Sequence, residues 1–178
     1  MSDKVLTGRE SDVQRRPRKV LAVASSGGHW VQLFRLRPVW DGCDVTYLTT
    51  NIQHREQVMA DALERGQTVP GFFTGVSANR WQKFRLVYLL LQVAIVVVRT
   101  RPDMVITTGA APGYFAILIG RCMRARTVWV DSIANADELS LCGKRVGRYC
   151  GLWLTQWEHL QGSEKAGAGL PAFQGATL

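Results

Sequence analysis

Three short stretches of this chain carry residue types that can do chemistry. Ser25-Ser26-Gly27-Gly28-His29 sets two hydroxyls, two glycines and an imidazole in a row, directly after an apolar run. Gly27 and Gly28 bring no side-chain bulk, so backbone N–H groups and the start of a following helix can approach a phosphate closely. An imidazole at that point is either a polar cap or a base that takes a proton from a sugar hydroxyl near neutral pH; the phosphate-type loop favours the base, His29. Thr107-Thr108-Gly109-Ala110-Ala111-Pro112-Gly113 repeats the arrangement of hydroxyls followed by small residues. A third apolar run ends in Asp131-Ser132, a carboxylate beside a hydroxyl. Each loop alone is ordinary turn chemistry, but two of them on one sheet edge point to a diphosphate ligand. The candidate contacts are Ser26, Gly27, Gly28, Thr108, Gly109 and Gly113.

Other chemistries lack their motifs. No GxGxxG follows the first apolar run, and no GK[ST] follows any run, so neither a dinucleotide nor a Walker-type site is indicated. There is no HExxH, CxxC or carboxylate cluster to hold a metal, and no cofactor is expected. Cys43, Cys122, Cys142 and Cys150 form no framework and read as free thiols of a reducing compartment.

The elements that must position these loops follow from the patterning. Val20–Ala24, Val45–Leu48, Met104–Thr108, Thr127–Val130 and Gly151–Leu154 are short apolar runs without polar alternation, as in strands buried on both faces. Helical patterns fill the intervals at His29–Arg37, Ile52–Arg65, Arg80–Thr100, Tyr114–Met123 and about 138–149, with 67–79 a loop holding at most a short strand. Alternation of this kind predicts an α/β fold with an open, mostly parallel Rossmann-like sheet, in which ligands bind at the carboxyl ends of the strands. The length of 178 residues supplies one such domain, over 19–160. Residues 1–18 read as a flexible basic arm, and 161–178 as a tail that docks on a partner.

The formal charge of +8 calls for an anionic partner. Arg80, Lys83, Arg85, Arg99 and Arg101 bracket the apolar stretch Leu86–Val98, and no acidic residue lies between Gly66 and Pro102. Basic flanks of this sort suit an anionic membrane surface better than a nucleic-acid groove, and nucleic acid is not expected as a partner. At the helical rise the apolar stretch reaches only about 20 Å, short of the roughly 30 Å hydrocarbon core. A peripheral helix over 80–101 is therefore expected, with Arg80, Trp81, Lys83 and Arg85 as membrane contacts; a deeply packed core helix is the competing expectation.

These residues carry a resemblance. Ser25-Ser-Gly-Gly-His29 with Leu33 resembles the SSGGHxxxL opening of the asparagine-linked glycosylation protein fourteen family and its bacterial PssD-type relatives. Asp131-Ser-Ile-Ala-Asn-Ala-Asp-Glu-Leu-Ser-Leu-Cys-Gly-Lys144, with Trp153-Leu-Thr-Gln-Trp157, is similar to that family's ESxARVxxLSxTGK…VQW signature, and Phe173–Leu178 to its closing tail. The resemblance implies the N-terminal, acceptor-binding half of an inverting GT-B glycosyltransferase. Its partner would be a small subunit that binds the UDP-sugar, and its acceptor a polyprenyl-diphosphate-linked sugar used in polysaccharide or lipid-linked oligosaccharide synthesis. The same acceptor-domain plan occurs in the enzyme that adds GlcNAc to the peptidoglycan lipid precursor. By that match Gly27, Gly28 and His29 inherit the acceptor site and Gly109 a neighbouring role, with Asp131, Ser132 and Ser140 as polar groups. Asp131 stands for the usual Glu, Asn135 for Arg and Cys142 for Thr. No apolar anchor precedes the first strand, which points to the bacterial members and to the cytoplasmic face of the inner membrane. Two other readings compete: a nucleotide-binding oxidoreductase on the same sheet, and a non-catalytic membrane scaffold for which His29 would be dispensable.

Overall fold

The computed structural model describes residues 16–162 and 171–173. The basic-arm expectation for 1–15 and most of the tail expectation, 163–170 and 174–178, lie outside the described residues. Seven strands form one sheet: β1 (Lys19–Val23), β2 (Asp44–Thr49), β3 (Gly71–Thr74), β4 (Met104–Thr107), β5 (Arg126–Val130), β6 (Leu152–Thr155) and β7 (Ala172–Phe173). Their order is β3-β2-β1-β4-β5-β6-β7, and every pairing is parallel. The helices are α1 (Gly28–Arg35), α2 (His54–Glu64), α3 (Lys83–Thr100), α4 (Ala110–Cys122) and α5 (Leu141–Val146).

The apolar runs form strands because both of their faces are covered. Leu21 and Val23 pack with Leu89, Val93, Val96 and Val97 of α3 and Ala116 and Ile117 of α4. Val20, Ala22 and Ala24 point the other way, onto Trp30 and Leu33 of α1 and Val58 of α2. Period-two alternation thus feeds two cores, and each fully buried Leu or Val adds about 1.5–3 kcal/mol. The switch of connection direction falls between β1 and β4, where a doubly wound sheet opens its binding crevice.

Several boundaries differ from the sequence expectation. α4 begins at Ala110 rather than Tyr114. Pro112 sits in its first turn, where the missing N–H is one that the helix leaves unpaired in any case. The helix expected over 138–149 shortens to α5, because the Ser140 side chain caps it by accepting from the Gly143 N–H (3.0 Å), and a 3-10 turn covers Gly147–Tyr149. The 67–79 stretch does contain a strand, β3, paired with β2. Part of the tail, Ala172–Phe173, adds to the sheet edge beside Leu154 and Thr155.

α3 is neither wholly buried nor wholly polar outside. Leu89, Val93, Val96 and Val97 face the core, while Phe84 (93% exposed), Val87, Tyr88, Leu91, Ile95 and Val98 lie open to solvent. At about 100° per residue these exposed positions fall on one stripe. Arg80 and Trp81 precede the helix, with the Arg80 guanidinium 4.9 Å from the ring centre of an exposed Trp81. No helix among the described residues is long and apolar enough to cross a membrane.

Candidate functional site

The first two candidate loops meet because β1 and β4 are sheet neighbours. Gly27 ends the β1 loop as the N-cap of α1 with φ 85°, a conformation that glycine reaches without strain. A side chain on Gly27 or Gly28 would meet nothing within 4 Å, so the space over this backbone is open. α1 carries no side-chain cap and no acid in its first turn, which leaves its leading N–H groups and positive dipole end unneutralised. α4 repeats the arrangement: Gly109 is its N-cap at φ 128°, again with no side-chain cap and no first-turn acid. Two bare helix N-termini on adjacent strands suit an anion with two phosphates.

His29 lies between them. Its Nδ1 is 2.8 Å from the Thr108 carbonyl oxygen, and the Thr108 hydroxyl donates to the His29 carbonyl at 2.6 Å. A carbonyl oxygen only accepts, so Nδ1–H is the donor, and in the neutral ring Nε2 keeps its lone pair. Nε2 has no protein partner among the described residues. Gly109 makes this arrangement possible, since a Cβ there would stand 2.9 Å from the imidazole Cε1. The ring is thus held in one tautomer, with its acceptor nitrogen unused.

The other predicted residues take varied places. Ser26 binds Thr50, at the end of β2: the Ser26 N–H donates to Thr50 Oγ1 (2.9 Å), whose hydroxyl reaches Ser26 Oγ (3.3 Å). The sequence does not mark Thr50 as a contact; the hydroxyl pair Thr49-Thr50 at a strand end is the signal it offers. Gly113 is buried on the inner side of α4, where a Cβ would come 2.0 Å from Thr107 Oγ1. Its visible role is close packing of α4 on β4. The Thr107 hydroxyl accepts from the Gly109 N–H at 3.1 Å and so shapes the same turn.

The third loop lies alongside through β5, but its polar groups hold one another. Asp131 is 2% exposed. Its Oδ1 accepts from the Ser132 N–H (3.0 Å) and Asn135 Nδ2 (2.8 Å), and its Oδ2 from the Ser140 N–H (3.2 Å). Ser132 Oγ accepts from the Ala134 N–H (3.3 Å), and Ser140 Oγ is spent on the α5 cap. Trp157 Nε1 donates to the Ile133 carbonyl, His159 Nε2 to that of Ala136, and Gln156 Nε2 to that of Asp131. Asp131 and Asn135, two departures from the signature, are therefore partners of each other. Of the other histidines, His54 stacks on Trp30 (4.5 Å between ring centres), and burial lowers its pKa. Arg80, Trp81, Lys83 and Arg85 belong to α3 and the residues before it. Among the described residues no cluster of His, Cys, Asp or Glu can hold a metal ion.

No protein-family model and no curated protein sequence matches the chain. Solved structures do. UDP-N-acetylglucosamine 2-epimerase from Rickettsia bellii superposes with a TM-score of 0.63 at 14% identity, over 91% of this chain and 46% of that one. MurG from Acinetobacter baumannii gives 0.57 at 16% identity, over 79% and 42%. A glycosyltransferase from Rickettsia africae gives 0.52 at 11% identity, over 79% and 36%. The chain has the fold of one Rossmann-like half of the GT-B architecture. The chain spans less than half the length of each of these proteins. The asparagine-linked glycosylation protein fourteen resemblance rests on the residues quoted for it alone.

Proposed function

We propose that the chain is the acceptor-binding half of an inverting glycosyltransferase that acts on a polyprenyl-diphosphate-linked sugar. A separate donor-binding subunit supplies the UDP-sugar. The observation that carries this reading is His29, held as the Nδ1–H tautomer by Thr108 between two uncapped helix N-termini. The acceptor diphosphate lies over the N–H groups of the Gly27-Gly28 and Gly109 turns. The acceptor hydroxyl oxygen forms a bond to the anomeric carbon of the donor, the bond from that carbon to the UDP oxygen breaks, and the hydroxyl proton passes to His29 Nε2. UDP leaves with the bonding electrons, and the configuration inverts.

The lipid-linked character of the acceptor is supported by α3. A stripe from Phe84 to Val98 exposes apolar side chains, and Lys83, Arg85 and Arg99 flank it. Such a face lies naturally on an anionic bilayer, on the cytoplasmic side where sugar nucleotides are found. The described domain forms one wall of an interdomain cleft, and the proposal assigns the other to the donor-binding partner.

The test combines the full chain with its donor-binding subunit, a polyprenyl-diphosphate-sugar and a panel of UDP-sugars. His29→Gln is expected to lower turnover by about two to four orders of magnitude while leaving acceptor binding largely intact. Near-wild-type turnover would return His29 to the role of a cap. Product formed by the chain alone would refute the half-enzyme reading.

A further inference from the structure

The amino-terminal edge of the sheet, opposite the site above, carries a cavity of about 730 Å³. Val20, Met104 and Arg126 stand in register across β1, β4 and β5 and line it together. Its rim holds Arg16, Arg18, Arg101, Arg124 and Arg126 against one carboxylate, Asp103. That carboxylate is already engaged, by Arg16 (3.1 Å) and by the Lys19 N–H (2.9 Å). Arg18, Arg101, Arg124 and Arg126 have no ion-pair or hydrogen-bond partner for their side chains among the described residues. Like charges converge here, with Asp103 the one carboxylate among the described lining residues.

Two of these arginines occupy costly backbone positions. Arg101 (φ 45°) and Arg124 (φ 63°) take the left-handed conformation just past α3 and α4, where glycine or asparagine would sit without strain. Complementing the helix dipoles needs a positive side chain in the last turn, and Arg99 and Arg121 already provide that. The two outlying arginines are therefore left over from capping. The rest of the wall is apolar: Val20 and Pro102 are buried, with Met104, Met123, Val39 and Val98 around them. Val98 belongs also to the exposed stripe of α3, so the apolar helix face runs into the arginine rim.

We propose that this cavity binds the phosphate headgroup of an anionic phospholipid, with the first methylenes of its acyl chains on the apolar wall. The choice of a lipid over a free phosphate rests on the reading of α3 as a membrane face; the binding site itself does not. Guanidinium forks match phosphate oxygens two at a time, which favours arginine over lysine in this position. The protein would then hold an anionic bilayer at two points: Lys83 and Arg85 at one end of α3, and the arginine cavity at the other.

The experiment is calorimetric titration of the full chain with dihexanoyl phosphatidylglycerol below its micellar concentration. Dihexanoyl phosphatidylcholine and inorganic pyrophosphate serve as comparison ligands. Saturable binding of the phosphatidylglycerol is expected, with the phosphatidylcholine much weaker. Each arginine near such a headgroup is worth roughly a factor of five, so R18Q/R124Q/R126Q should lower affinity on the order of a hundredfold. K83Q/R85Q should not change it. These positions are exposed, and circular dichroism checks that the variants fold. The proposal is overturned if the wild type shows no saturable binding, if the triple variant binds as well, or if phosphatidylcholine competes equally. Pyrophosphate that binds as tightly and displaces the lipid would overturn the lipid assignment. Flotation on vesicles of phosphatidylcholine with and without phosphatidylglycerol reports separately on α3. If the chain binds the soluble lipid but does not float, the membrane face fails and the cavity stands.

Discussion

Gly109→Ala puts a single methyl group where the proposed mechanism is least tolerant. The added Cβ would stand 2.9 Å from His29 Cε1 and 3.0 Å from Nδ1. Carbon atoms prefer separations of about 3.5–4.0 Å, so the imidazole must move by roughly 0.5–1 Å or turn. Either motion draws Nδ1 away from the Thr108 carbonyl and releases the tautomer that leaves Nε2 as the base. The backbone adds its own penalty, because φ 128° is a region that L side chains rarely adopt. Backbone strain of about 1–3 kcal/mol and a lost hydrogen bond of about 1 kcal/mol give a destabilisation of about 2–4 kcal/mol. Turnover with the donor subunit present should fall by about two orders of magnitude or more, since an unfixed base forfeits most of its general-base contribution. Gly120→Ala is the control. Its Cβ would stand 2.7 Å from Val105 Cγ2, away from both loops, so it overpacks the core at a cost of about 1–3 kcal/mol without touching His29. Chemical denaturation gives the stability of both variants, and turnover is expressed per folded molecule. If Gly109→Ala keeps wild-type turnover, or if Gly120→Ala loses as much, the reasoning about His29 fails.

Three further outcomes are expected. Asp131→Asn replaces an acceptor that serves Ser132, Asn135 and Ser140 with a group that must donate on one side, costing about 1–3 kcal/mol and opening the 131–140 loop to limited proteolysis. Burial lowers the His54 pKa from 6.5, so the unfolded chain binds the proton first; stability is full above that pH and declines as pH falls towards the lower folded value. His54→Phe keeps the stack on Trp30 and should flatten the fall of Tm over this window; an unchanged slope would refute the assignment. Maleimide labelling followed by peptide mapping should mark the exposed Cys122 first. Half-buried Cys142, its pKa raised by burial, and half-buried Cys150, pushed up to about 12 by burial, should label much more slowly than Cys122 until the chain unfolds.

The central strands are legible in the sequence because each must satisfy two cores at once, and only an unbroken apolar run does so. β7 is not. Two residues, Ala172 and Phe173, are a strand solely because β6 offers them its edge, a fact that no local pattern contains. The start of α4 is hidden for a related reason: Gly109, Pro112 and Gly113 read as loop residues, yet a proline in the first turn and a glycine facing a strand are both compatible with a helix. α3 appears in the sequence as apolar on nearly every side; burial divides it into a core face and a solvent face that periodicity alone does not separate. In the site, Gly27, Gly28 and His29 are visible because loop chemistry is local. Thr50 contacts Ser26 only through the β1–β2 pairing. A carboxylate at a strand end has the same sequence signature whether it meets a ligand or, like Asp131, accepts three hydrogen bonds from its own loop.

That use of Asp131 bears on where the remaining catalytic forces come from. In the proposed reaction a charge builds on the UDP leaving group as the acceptor oxygen attacks. The first two loops offer N–H groups, hydroxyls and one imidazole, and neither contains an arginine, a lysine or a carboxylate. The third loop has a carboxylate, but it is buried and already accepts three hydrogen bonds from its own loop. This half is thus suited to hold a diphosphate by backbone dipoles and to accept one proton. Stabilisation of the developing charge on the donor requires groups aimed at that oxygen in a water-excluded site. The proposal assigns those groups to the facing wall of the cleft. Under that proposal, a domain with two bare helix ends and one fixed imidazole needs a second subunit for chemistry, and not merely for binding the donor.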